Sequence, residues 1–192
     1  MGLLLIKRQK NHVLGIWKIK ENLKEATEIY NKSIPLKFKS DKRKLEYILT
    51  RLLLQQIDEN LQISYNKFEA PMLNDNKNIS ISHSNDLIAI IISKKKVAID
   101  IEKIGGKPLK LKHKFISNID NVFDNNMQAT LAWSAKEAIY KLHQQGGIDF
   151  KKDIIIKKID KSKKQIQTTF QKKNLVLNFQ KINNHFLVYV CI

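Results

Sequence analysis

Two stretches of helical periodicity, set among many short segments that alternate with period two, constrain this chain more than any other feature. Leu45, Ile48, Leu49, Leu52 and Ile57 share one face of a predicted helix running from a cap at Ser40 to about Asp58. Leu131, Ala135, Ala138 and Leu142 do the same over residues 128–145, with Gly146-Gly147 as the expected stop. A shorter helix is predicted over residues 21–31, from Leu23, Ala26, Ile29 and Tyr30, and Pro35 separates it from the next. Strands are predicted over residues 12–19, 79–83, 87–93 and 97–102, and then over 154–159, 165–170, 175–180 and 186–190, the last four as an antiparallel meander. Each helix must bury its stripe against something, and the nearest partner is the alternating strands around it. The expectation is therefore an α+β fold of two similar halves, each a helix on a small antiparallel sheet. Gly105, Gly106 and Pro108 mark the boundary between residues 1–104 and 105–192.

Composition narrows the setting. With 43% hydrophobic and 28% charged residues, the sequence reads as a soluble globular protein. Its single cysteine, Cys191, cannot form an internal disulfide, so a reducing, cytoplasmic location is expected. The apolar run from Leu3 to Ile6 is too short for a signal-peptide core and is followed at once by Lys7, Arg8 and Lys10. Ile6 stands where a myristoylation motif needs Ser or Thr, and the longest apolar run, residues 87–92, is too short to span a bilayer, so no membrane association is expected. The net charge of +17 attracts acidic partners, although scattered lysines in a chain rich in Lys, Asn and Ile equally describe a solvated surface. No aromatic-interleaved basic stripe, zinc spacing or recognition-helix pattern accompanies the charge, and no nucleic-acid partner is expected.

Three short constellations carry candidate chemistry. In Ser80-Ile81-Ser82-His83-Ser84, alternation puts Ile79, Ile81 and His83 on one face of a strand that ends in a turn. A histidine there, beside hydroxyls, can hold a phosphate or can be structural. In Val97-Ala98-Ile99-Asp100-Ile101-Glu102, period two turns Val97, Ile99 and Ile101 toward the core and Asp100 and Glu102 to the opposite face. Two carboxylates side by side suit a divalent cation, or form the polar outside of an amphipathic strand. In Trp133-Ser134-Ala135-Lys136-Glu137-Ala138-Ile139-Tyr140-Lys141, Glu137 and Lys141 share a helix face at the spacing of an ion pair.

In this order and spacing, SISHS, VAIDIE and WSAKEAIYK resemble the three signatures of the 4′-phosphopantetheinyl transferase superfamily. The resemblance runs from about Trp17 onward, takes in the KFIS segment at residues 114–117, and is nearest to the monomeric, two-half, surfactin-synthetase-activating type. It implies an active site between the halves and an enzyme that moves the 4′-phosphopantetheine group of coenzyme A onto a serine of an acyl or peptidyl carrier protein, releasing 3′,5′-ADP. Asp100, Glu102 and Glu137 match the carboxylates that hold Mg²⁺ (or Mn²⁺). Glu137 also matches the general base, and Lys141 the lysine that contacts the phosphates and assists the leaving group. His83 matches a histidine on the nucleotide phosphates, and Lys42, Arg43 and Arg51 fall near basic residues of the family's coenzyme A site. Carrier proteins of this class are acidic and helical, which suits the positive field. The sequence departs from the pattern at Ala98, where the family has glycine. It departs again at Phe68-Glu69-Ala70-Pro71, where the family has Gly-Lys-Pro. A catalytically degenerate protein that binds coenzyme A or a carrier on the same fold is the alternative those departures leave open.

Overall fold

The computed structural model describes residues 2–36, 38–120 and 125–192, an α+β chain of antiparallel sheets and a few helices. It divides into two units, Met1–Lys95 and Lys96–Ile192. The division falls before the strand Val97–Lys103 rather than after it, near Gly105, because that strand pairs along its length with His185–Cys191. Among the described residues no helix is long and apolar enough to cross a membrane.

The first unit contains β1 (Leu3–Arg8), β2 (Val13–Lys18), α1 (Leu23–Tyr30), α2 (Asp41–Ile57), β3 (Ile63–Tyr65), β4 (Pro71–Leu73), β5 (Asn78–Ser84) and β6 (Leu87–Ser93). Its main sheet has the order β1-β2-β6-β5, and β3 and β4 form a separate hairpin. The continuous apolar run of β6 is buried at every residue, as a central strand requires. Ser40 caps α2, its Oγ accepting from Arg43 N at 3.3 Å. The buried stripe of that helix, Ile48, Leu49, Leu52, Leu53 and Ile57, forms one core cluster with Trp17, Ile88 and Ile90. Full burial of one such side chain stabilises by about 1.5–3 kcal/mol. Close approach of α2 to β2 depends on Gly15, where a Cβ would lie 2.9 Å from Ile57 Cδ1 and 3.1 Å from Leu53 Cδ1. The apolar run at the start of the sequence is an edge strand, with Leu3, Leu4 and Leu5 all partly exposed.

The second unit contains β7 (Val97–Lys103), the short helix α3 (Gly106–Lys110), a 3₁₀ turn at Lys112–Lys114, α4 (Asn126–His143), β8 (Ile154–Asp160), β9 (Gln165–Phe170), β10 (Lys173–Ile182) and β11 (His185–Cys191). The expected meander is present as β8 to β11, and β7 completes the sheet in the order β7-β11-β10-β9-β8. Asn125 caps α4, its Oδ1 accepting from Gln128 N at 3.0 Å. The helix stops earlier than the glycine pair implies. Gln144 itself takes the left-handed conformation (φ 61°), with its N–H on Tyr140 O. Gly146 and Gly147, also at positive φ, only continue the loop.

Of the two readings left open for the β7 carboxylates, the polar outer face does not hold. Asp100 and Glu102 do not lie on an outer face; they lie on the face that carries α4, beside Ala98, which belongs to the second unit's core with Leu131, Ile139 and Val188. Val97, Ile99 and Ile101 point the other way and are buried as well, so the strand has no solvated side to find. Alternation distinguishes two faces but not which of them meets the helix.

Candidate active site

Asp100 is 3% exposed, and both of its oxygens are engaged. Ser134 Oγ donates to Oδ2 at 2.7 Å, and Lys141 Nζ donates to Oδ1 at 2.8 Å and to Ile99 O at 3.2 Å. Glu102 lies one pleat further along β7, and its Oε1 accepts from Trp133 Nε1 at 3.2 Å. These partners come from α4. Ser134, Glu137 and Lys141 recur at intervals of three and four, so they form one stripe along the helix. The two motifs that stand apart in sequence thus meet side chain to side chain.

Glu137 shows what this gathering does electrostatically. Burial raises its carboxyl, the charge of Asp100 raises it further, Lys141 opposes the rise and Glu102 adds to it, leaving the pKa at about 7. A carboxyl that exchanges its proton near neutrality, in an acidic cluster with one ammonium, has the properties of a general base. Trp133 closes one side of the group. Its ring packs edge-on to Phe115 at 5.0 Å and tilted to Phe150 at 5.7 Å, and Phe150 continues to Tyr140 at 5.6 Å. These rings hold the indole N–H on Glu102 and keep the neighbourhood apolar.

The remaining candidates belong to the first unit. His83 faces α2, and its Nε2 lies 2.9 Å from Thr50 Oγ1. Thr50 donates its own hydroxyl proton to Glu46 O at 2.6 Å, so His83 Nε2 is the donor to Thr50. Lys42 and Arg43 are exposed and lean on the buried Glu46, at 3.9 and 3.1 Å. Arg51 lies over the Tyr47 ring at 3.3 Å from its centroid and donates to Tyr47 O at 3.2 Å. These three cations therefore already have protein partners, and the pattern that singled them out, charge along a helix, carried no sign of Glu46 or Tyr47 as their neighbours.

Sequence reasoning assigned no role to Ser134, Trp133 or Thr50. The first two stand inside the motif that drew attention to Glu137, and their spacing from it was the available signal. Thr50 offered none, because its role depends on a histidine 33 residues away.

Among the described residues no group of three or more His, Cys, Asp and Glu side chains is gathered closely enough to hold a metal ion. The donor chemistry nevertheless suits a hard divalent cation: three carboxylates, two of which push the third upward, with Lys141 as the counter-charge on Asp100. No protein-family model matches the sequence, and no curated protein matches it.

Proposed function

We propose that this chain is a cytoplasmic, monomeric 4′-phosphopantetheinyl transferase with that family's fold of two similar halves, acting on coenzyme A and an acidic, helical acyl or peptidyl carrier protein. The observation that carries the reading is the meeting of the two acidic motifs: Glu137 and Lys141 of α4 lie with Asp100 and Glu102 of β7, and Glu137 titrates near pH 7. In the proposed reaction the carrier serine Oγ attacks the phosphorus that bears the pantetheine arm. The bond from that phosphorus to the oxygen of 3′,5′-ADP breaks, and the serine proton passes to Glu137. Lys141 accompanies the negative charge that gathers on the leaving phosphate. Ser134 holds the Asp100 carboxylate in one orientation, and the rings around Trp133 exclude water from its side of the group. Asp100, Glu102 and Glu137 would hold Mg²⁺, which when bound neutralises phosphate charge.

A second reading, a coenzyme A- or carrier-binding protein without transfer activity on the same fold, draws on one loop. Between β3 and β4, Asn66 Oδ1 accepts from Phe68 N and Ala70 N, and Glu69 occupies the left-handed region at φ 59°. A glutamate thus sits in a backbone conformation that favours glycine, where the resembled pattern has Gly-Lys.

The deciding experiment is intact mass of apo carrier proteins incubated with this protein, coenzyme A and Mg²⁺, with Asp100→Ala and Glu137→Ala as controls. A metal-dependent gain of one phosphopantetheine, lost in both variants, supports the transferase. Coenzyme A binding without transfer to any carrier class supports the second reading. Neither binding nor transfer removes both.

A further inference from the structure

Behind the stripe that faces β7, α4 carries a buried lysine with no part in the chemistry proposed above. Lys136 is fully buried, as is its partner Asp120. The ammonium donates to Asp120 Oδ2 at 2.8 Å, Phe150 O at 3.0 Å and Ile154 O at 2.7 Å, which uses all three of its protons. Asp120 also accepts from Ser117 N at 2.7 Å, from Ser117 Oγ at 3.1 Å and from Ile156 N at 2.6 Å. The pair therefore ties α4 to the loop before it, to the loop after it and to the edge strand β8.

The core-facing surface of α4 gives this tie its meaning. Ala132, Ala135 and Ala138 are buried there together with the larger Leu131 and Ile139, in one core cluster with Ala98 of β7 and Val188 and Val190 of β11. Apolar contacts of this kind are non-directional, so they favour burial of the helix more than one exact roll of it. Successive residues project about 100° apart around a helix. Ser134 and Lys136 therefore flank Ala135 on either side, one bound to Asp100 and the other to Asp120. This apolar face is flanked by a buried polar anchor at each edge.

We propose that Lys136 and Asp120 are positioning residues whose ion pair fixes the roll of α4, and so keeps Ser134, Glu137 and Lys141 turned toward Asp100 and Glu102. The purpose rests on the transferase reading, but the geometry does not. Without the pair, the polar anchors of the helix remain on one flank only, at Asp100, and its roll about the Ser134–Asp100 contact is held less tightly although Leu131 and Ile139 stay packed. Trp133, next to Ser134 on the helix, then draws its indole away from Glu102.

The test exploits the two tryptophans. In an ¹H–¹⁵N spectrum of the full chain, the Trp133 indole N–H reports on its bond to Glu102. The Trp17 indole, which donates to Glu21 Oε2 at 3.1 Å in the first unit, serves as the control. Lys136→Met alone leaves Asp120 charged in a buried site, so Lys136→Met with Asp120→Asn is made beside it to remove both charges. The expected result is that indole exchange at Trp133 accelerates by at least about tenfold in the double variant, with Trp17 unchanged and the strand amides of β9 to β11 still dispersed. Unchanged exchange at Trp133 in a folded double variant overturns the proposal. So does loss of the strand amides in both variants, since the pair would then hold the unit together rather than orient one helix. The readout needs no turnover, so its failure is separable from failure of the transferase reading.

Discussion

Replacing Glu137 with glutamine should stabilise the protein at alkaline pH and do progressively less as the pH falls. The folded-state pKa of about 7 lies above the ordinary glutamate value of 4.5, with burial the larger cause and Asp100 the next. Between those two values the native state binds more protons than the unfolded state, so stability falls as pH rises through the window. The full shift corresponds to about 3 kcal/mol at roughly 1.4 kcal/mol per pH unit. Close to pH 5 the cost is only about 1 kcal/mol, because the native carboxyl is still protonated. Near pH 8 nearly all of it is present. Glutamine has the size and hydrogen-bonding capacity of the protonated acid and carries no charge, so it never incurs this cost. Urea unfolding of the wild type and Glu137→Gln, followed by circular dichroism with a chelator present, measures the difference at each pH. The variant's advantage should widen by about 2 kcal/mol from acid to alkaline conditions. A gap that stays constant, or a variant that is less stable near pH 8, would refute the argument: Glu137 would then be ionised at little cost and unsuited to take a proton near neutrality.

Gly15→Ala should cost about 1–3 kcal/mol in the same unfolding assay, since its methyl meets Ile57 and Leu53 on the underside of α2. Glu69→Gly should stabilise by about 1 kcal/mol by relieving a left-handed backbone, and a loss of stability would mean that the glutamate side chain holds the loop. Thr50→Val should remove the acceptor of His83 Nε2–H, so that the Nε2-protonated form seen by long-range ¹H–¹⁵N correlations in the wild type takes a smaller share in the variant.

Much of the architecture was legible because local chemistry agreed with the final fold. Ser40 caps the helix that its position promised, and the four alternating segments after Gly147 pair in the expected meander. The failures share a cause. The leucines of β1 do not alternate, so nothing local distinguishes an edge strand from a disordered apolar end. In β7 both faces are buried, and the face that meets the helix carries the carboxylates while the purely apolar one points away. Within the candidate site, Asp100, Glu102, Glu137 and Lys141 could be picked out from two motifs. Asp120 could not, because its partner Lys136 is 16 residues away and nothing in either residue's local pattern announces the other.

The placement of β11 has a consequence for how the second unit is made. β7 carries Asp100 and Glu102, yet its sheet partner is β11, synthesised about 80 residues later. At about 5–20 residues per second, β7 emerges from the ribosome on the order of ten seconds before its partner exists. Throughout that interval an apolar strand lacks its β11 partner, and the rest of the meander lacks the strand needed to reach it. The segment that carries two of the candidate carboxylates thus depends, until translation has passed Cys191, on whatever shields its β11-pairing edge from other nascent chains.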